Sequence, residues 1–377
     1  MVIMALDHAR DFFHISAGID DPLNLATTTP LLYFTRWITH FCAPIFIFLS
    51  GTSIYLQSLR KTKKELSSFL IKRGLWLIFV EVFLISLGWT FNPNYHFIPL
   101  QVIWAIGISM FLLGILIHLP FKIILTFGFA IVLGHNLLDF PESAPGFTPD
   151  FWWDLLHHGN FSPYPLSQNH LIIIVYPFLP WTGLMMLGYC AGIFFTEKYS
   201  PVQRRKIFTG IGMGLLLVFF FLRLSNAYGD PHLWSTQKND LTTVFSFLKV
   251  EKYPPSLLFL SIFIGIGFLL LAWFENIKNG FSQVMRTYGR VAFFYYVIHL
   301  YLIHFVAVIL FFSRGHSFQE VDHAGQFPFY FVVPGEGSGL GWVYLLWIMV
   351  IVGLYPLCRW YDTYKTWHKE KWWLSYW

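Results

Sequence analysis

The chain is a succession of apolar runs, each close to the length a helix needs to cross a bilayer, joined by polar connections. Crossing the hydrocarbon core takes about 20 mostly apolar residues. Runs of that kind lie near 31–57, 74–92, 100–118, 121–139, 172–196, 207–224, 255–274, 291–313 and 339–358, and a shorter one covers 1–14. Only 12% of the 377 residues are charged and 56% are hydrophobic. Soluble domains carry about 25% charged residues, and half that share cannot cover a surface in water. Aromatic residues reach 20%, with 16 Trp, and amphipathic rings collect at membrane interfaces. The expected fold is an all-α polytopic membrane protein, a bundle of about ten transmembrane helices. The expected organisation is one domain over 1–360 followed by a tail, 361–377, with no internal repeat and no low-complexity segment.

Connections on one side are short and basic, and those on the other are long and aromatic. Most of the 25 lysines and arginines, among them Arg60 to Lys64, Lys72, Arg73, Arg204 to Lys206, Arg286, Arg290 and Arg359, fall on the first side. The positive-inside rule makes that side cytoplasmic. Ten spans then leave both ends in the cytoplasm, and the loops near 15–30, 140–171, 225–254 and 314–338 face outward. The net charge of +5 is dispersed between apolar runs rather than gathered in a patch, so no nucleic-acid partner is expected. The first run, at roughly 21 Å of helix, is too short to cross. It begins in mid-pattern, which leads to the expectation that the natural start lies upstream. It has no basic leader and no small-residue cleavage site, so it does not read as a signal peptide.

Ionisable groups inside spans are costly, and each is a functional candidate by default. The first run reads MVIMALDHARDFFH. Helical spacing puts Asp7, Asp11 and His14 on one face, with His8 and Arg10 beside it. Arg36 and His40 stand one turn apart in the second. Asn136 and Asp139 lie in GHNLLD, His170 precedes LIIIVYPFLPWTG, and His299 and His304 lie in FFYYVIHLYLIH. Any one of these alone is more often a satisfied packing group than a catalytic one. Together they place ionisable groups in the outer half of five spans, which implies a polar cavity open to the outside. Glu81 is the outlier, expected on the inner side of the third span, with a basic residue there as one option for a partner. The chain has no HExxH, no GxSxG, no Walker motif and no Gly-rich phosphate loop, and no metal is expected. Cys42, Cys190 and Cys358 form no CxxC pair and read as packing residues.

The strings DHARDFFH, TRWITHFCAPIFIFLSG, RGLWLIFVE, HNLLD, YPFLPWTGLMMLGYCAG and GRVAFFYYVIHLYLIH follow one another along the chain to about residue 360. In that order they resemble the bacterial branch of the heparan-α-glucosaminide N-acetyltransferase catalytic-domain family, within the wider transmembrane acyltransferases. The resemblance implies a membrane transferase, in a bacterial cytoplasmic (inner) membrane, that takes an acetyl or acyl group from acetyl-CoA or another acyl-CoA. The acceptor lies on the far side and is a sugar or glycan. Related membrane O-acyltransferases place a catalytic His in the first span, eleven positions after an Arg. His8 fits the His position, and the Arg position falls before Met1.

On this reading His8 is the general base or the acylated nucleophile. Asp7 or Asp11 orients its ring, and Arg10, Arg36 or His40 stabilises the oxyanion. The phosphates of CoA seek basic residues on the cytoplasmic side, with Arg290 foremost and Arg73, Lys72 and Arg286 beside it. Asn136, Asp139, His170, Trp181, His299 and His304 are the candidates for contact with the acceptor. The competing class is a proton-coupled transporter or exporter of a glycan or lipid precursor, since buried ionisable groups also mark proton relays. Against that class stands the absence of inverted halves with paired broken helices.

Overall fold

In a computed structural model, residues 1–159, 161–321 and 328–376 are described. Residue 160 and residues 322–327 of the expected outer loops, and Trp377 of the tail, lie outside the described residues. In chain order the helices are α1 (Val2–Phe13), α2 (Pro30–Thr39), α3 (Cys42–Ser58), α4 (Lys63–Val80), α5 (Ser86–Thr90), α6 (Val102–Leu116), α7 (Phe121–Gly134) and α8 (Asp139–Glu142). They continue as α9 (Phe151–Leu156), α10 (Phe178–Ala191), α11 (Pro201–Ser225), α12 (Asp240–Leu248), α13 (Leu257–Phe274), α14 (Gly280–Arg290), α15 (Ala292–Ser313) and α16 (Leu340–Trp367). Among the described residues, seven stretches are long and apolar enough to cross a membrane by length and composition, and α6 is a shorter apolar helix. The chain is an all-α polytopic membrane protein. Helices occupy all ten expected runs, although α1 has 12 residues and the third run is divided.

Local sequence explains the ends and breaks. Thr62 and Glu65 form a reciprocal capping box at the start of α4, and Ser200 and Gln203 form one at α11, where Pro201 takes the first helical position, which needs no N–H. Between α2 and α3 the helix is interrupted at His40 and Phe41. Pro44 has no N–H to give the carbonyl four residues back, which belongs to His40. The run Lys63–Thr90 is divided by a π-helical turn, Glu81–Ile85.

Two of the expected boundaries are corrected. The fifth long run does not begin as helix, because His170–Ile174 is a strand (β3) and α10 starts after Pro177. The β-branched residues Ile172 to Ile174 favour extended backbone, and Pro177 sets the boundary. β3 lies between β1 (Phe97–Leu100) and β2 (Pro163–Ser167), in the order β1-β3-β2, and pairs antiparallel with β2. At the other end α16 continues to Trp367, past the expected edge at 358, because Arg359 to Trp367 holds no Gly or Pro to stop it.

The chain gathers into two compact units. The first comprises Met1–Cys42, Phe83–Phe97 and Ile277 onward, and the second Ala43–Val82 and Ile98–Asn276. In the first unit α1 packs on α2, α15 and α16, with Ala5 and Ala9 wholly buried. In the second, α4 packs on α6, α11 on α13, and α10 on α6 and α7. Backbones meet directly there. A Cβ on Gly74 would stand 2.5 Å from the Gly107 carbonyl oxygen, and one on Gly212 would stand 2.8 Å from that of Gly265. Helices in lipid associate through such small-residue contacts, because burying apolar surface gains little there.

Glu81 is corrected too. It stands about 27 Å along the helix from Lys63, opposite the start of α6, and no part of it is exposed. Its carboxylate accepts from the backbone N–H of Trp104 at 2.9 Å and of Gln101 at 3.2 Å. Gln101 provides no side-chain cap of its own. Glu81 therefore serves as the N-terminal cap of α6, where peptide dipoles favour negative charge.

Gly74→Ala is expected to destabilise the protein by about 1–3 kcal/mol through overpacking. Gly210→Ala, in α11 with open space around it, is expected to be neutral or to stabilise by up to about 1 kcal/mol. Thermal unfolding of the two variants in one detergent checks the contrast, and equal effects would contradict the direct backbone contact.

Candidate functional site

Within the first unit, α1 carries two different polar faces. Residues advance by about 100° along a helix, so Asp7, Arg10 and Asp11 lie together while His8 turns away from Arg10. On the Asp7 face, Arg36 Nη1 donates to both Asp7 oxygens at 2.8 Å, and Thr39 Oγ1 donates to Oδ1 at 2.8 Å. Arg10 Nη2 donates to Asp7 Oδ1 at 2.7 Å and to Asp11 Oδ1 at 2.5 Å. Two guanidinium groups and two carboxylates leave the cluster neutral. Arg10 is buried, and its Nε and Nη1 have no hydrogen-bond partner among the described residues. His40, at the end of α2, is buried as well.

His8 faces α15 and α5. Its Nδ1 lies 2.9 Å from His299 Nε2, and its ring meets Trp89 edge-on at 4.8 Å. His299 Nδ1 lies 2.7 Å from the Tyr295 carbonyl oxygen. A carbonyl only accepts, which assigns the protons: His299 carries its proton on Nδ1 and receives one from His8 Nδ1–H. His8 in turn presents a lone pair at Nε2. The sequence groups His299 with acceptor contacts, but the structure makes it the partner that fixes the His8 tautomer. The carboxylate of Asp7, expected to orient that ring, is engaged by the two arginines and Thr39.

One turn further along α1, on the face of His8, Phe12 borders a cavity of about 130 Å³ that His14, Phe311, Arg314, Glu336 and Ser338 also line. Its rim is set by the loop after α15. Ser338 N donates to the Phe13 carbonyl at 2.7 Å, and Gly337 lies so close to His14 that a Cβ would stand 2.4 Å from its carbonyl carbon. His316 ties the same loop together, with Nδ1 2.9 Å from Glu320 and Nε2 2.7 Å from Glu336.

The other predicted residues are placed elsewhere. In the first unit, His304 has a carbonyl at each ring nitrogen, Gly88 at 2.9 Å and Tyr330 at 2.8 Å, so it braces backbone. Arg290 meets Asp362 at 3.0 Å and Thr366 at 2.8 Å, half exposed, and Arg286 is exposed. In the second unit, Lys72 is exposed and Arg73 half-buried. Asn136 accepts from the Leu257 N–H that opens α13, at 2.8 Å, and donates to Asp139 at 2.7 Å. Trp181 is wholly buried between Tyr176 and Phe259. His170 sits at the β2–β3 turn, 2.6 Å from Ser167 Oγ. Residues the sequence reading passed over are Thr39, Trp89 and Glu142, and it did not pair His135 with His157. No motif or helical spacing links them to their partners.

Asp7→Asn leaves Arg10 and Arg36 with a single carboxylate. Removing one partner of a buried ion pair costs about 3–5 kcal/mol, and a fall of that size in unfolding free energy is expected. Asp11→Asn, whose side chain is 34% exposed, is expected to cost less. An Asp7→Asn protein as stable as wild type would contradict the neutralised cluster. A second expectation concerns pH. The carboxylates of Glu320 and Glu336 hold His316 above its ordinary range, so its contribution is complete below about pH 6.5 and fades as pH rises through the raised value. His316 and Ser317 hold Glu320 down to about 2, so its contribution is complete above about pH 4.3 and is lost as pH falls towards 2. Hydrogen-exchange protection of the loop after α15 should be greatest between roughly pH 4.5 and 6.5, and His316→Gln should flatten the profile. A flat wild-type profile would refute the coupling.

Comparison with known families assigns the chain to one of them. The family model described as heparan-alpha-glucosaminide N-acetyltransferase, catalytic, matches residues 9–225, more than half of the 377. The match takes in Arg10, Asp11, Arg36 and His40 and begins one residue after His8. A comparison with curated proteins finds no match. The chain belongs to the heparan-alpha-glucosaminide N-acetyltransferase catalytic family, a family of membrane acetyltransferases.

Proposed function

We propose that the protein transfers an acetyl or other acyl group from acyl-CoA to a sugar or glycan acceptor, with His8 as the general base. The observation that carries this reading is the ordered pair of His8 and His299, closed by the Tyr295 carbonyl. It fixes the ring tautomer so that a neutral His8 carries its lone pair on Nε2, the form a general base requires. The reaction joins an acceptor oxygen or nitrogen to the acyl carbon and breaks the C–S bond. His8 takes the acceptor's proton and returns it to the departing CoA thiolate. His299 is a positioning residue, since it acts on the ring rather than on the reacting atoms.

Two further features fit. Arg10 Nε and Nη1 are buried donors on a cation with no partner among the described residues. Leaving such groups unpaired costs about 1–3 kcal/mol, a cost that an oxygen of a bound ligand would remove. The cavity at Phe12 and His14 lies about 5.4 Å, one helical turn, beyond His8 and offers the acceptor an approach. Within the first unit, the exposed Arg286 is a better candidate for the phosphates of CoA than Arg290, whose guanidinium is held by Asp362.

The test is acyl-CoA turnover by detergent-purified protein, with CoA binding measured alongside. His8→Ala should reduce turnover by about 10²–10⁴-fold and leave CoA binding unchanged. His299→Ala should lower kcat less, shift its pH profile, and be partly rescued by His299→Gln, whose amide can still accept from His8. Undiminished turnover in His8→Ala removes His8 from the mechanism. Absence of CoA binding in wild type, together with acceptor flux across vesicles, would instead establish an exporter.

A further inference from the structure

Away from α1, the second unit gathers a different set of ligating groups where α7 gives way to the outer loop. Asp139, Glu142 and His157 each bring one donor atom to a common point, and these atoms all lie within 4.8 Å of one another. His157 Nδ1 is 2.8 Å from Glu142 Oε1. Two donors each about 2.1 Å from a tetrahedral ion stand about 3.4 Å apart, so this pair has to open by only about 0.6 Å to admit one.

Each donor is held from behind. Asn136 Nδ2 donates to Asp139 Oδ2 at 2.7 Å, and Trp153 Nε1 donates to Glu142 Oε1 at 2.8 Å. His157 Nε2 meets His135 Nδ1 at 3.0 Å, and both rings are buried. Metal-bound imidazoles characteristically use the second nitrogen in this way. The adjoining cavity, about 220 Å³, is bordered by Asp139, Glu142, His158, His232 and Glu251 and, among the described residues, by no lysine or arginine. Two carboxylates thus converge on imidazole, with no fixed cation among the described residues that line the cavity.

We propose that Asp139, Glu142 and His157 bind one divalent transition-metal ion, Zn²⁺ before others, with a fourth position open to the cavity. The imidazole selects Zn²⁺ over the oxygen-seeking Ca²⁺ and Mg²⁺. Three protein ligands and an open position are the arrangement of zinc sites that take water or a substrate oxygen. Coordination at Nδ1 places the His157 proton on Nε2, which donates to His135 Nδ1. His135 then carries its own proton on Nε2, so two neutral rings remain neutral. No sequence motif announces the site, because its ligands are 3 and 15 residues apart and belong to two short elements, α8 and the end of α9.

The full-length protein in detergent, stripped with EDTA, is titrated with Zn²⁺ against a chromophoric chelator, and retained metal is counted by mass spectrometry. One ion per chain is expected in wild type, with His135→Ala weakening binding 10–100-fold and with His157→Ala and Glu142→Gln losing it. Asp139→Asn keeps the side-chain shape and guards against loss by misfolding, and monodispersity is checked for every variant. Wild type that retains no ion, or folded variants that bind as wild type does, would overturn the proposal. Because acyl transfer is not the readout, failure here leaves the His8 mechanism standing, and the reverse also holds.

Discussion

The first unit depends on one carboxylate. Asp7 accepts from Arg10, Arg36 and Thr39, and without it two cations would share the single carboxylate of Asp11 in a region with little water to solvate them. Charge is tolerated inside a membrane protein only when it is paired and turned inward. Here the pairing also fixes geometry, since a carboxylate bridging two guanidinium groups fixes how α1 lies against α2. Once that contact is set, the remaining faces of α1 are assigned. Small Ala5 and Ala9 admit close neighbours, and His8 and Phe12 turn toward α15 and the cavity.

The division of labour along α1 follows from helical geometry. The cluster that looks most catalytic in sequence, two acids and a base within five residues, is largely self-satisfied. The histidine beside it owes its orientation to another imidazole. An imidazole partner adds no full charge of its own, and the Asp7 carboxylate is engaged by Arg10, Arg36 and Thr39. Burial and pairing thus make the acidic cluster a frame, and the less conspicuous pair is the one proposed to react.

Much of the fold could be read from the chain, because lipid imposes length and hydropathy on every span and leaves few alternatives. The misread places are those where local chemistry overrides the apolar pattern. Ile172 to Ile174 are as apolar as any helix, yet their branching and the prolines after them give a strand. For Glu81 a basic residue is one option as partner, and what it meets is the N-terminus of a neighbouring helix, a partner that no residue type reveals. The candidate site was legible in its parts, since His8, Asp7, Arg36 and His299 all stood out as polar groups in apolar runs. Their pairing was not legible, because a contact between residues 8 and 299 leaves no trace in local spacing. The same holds for Glu142, which reads as an ordinary loop residue, and for its contact with His157.

The separations between partners also set an order of events during synthesis. Asp7 and Arg36 are 29 residues apart, whereas His8 and His299 are 291 apart. A chain emerging from its N-terminal end can settle the charges of its first helix as soon as the second has entered the bilayer. It must wait for nearly all remaining helices before His8 finds the ring that orients it. A nascent or truncated chain is therefore electrically quiet while His8 still lacks its partner, and the pair can close only after α15 has been made.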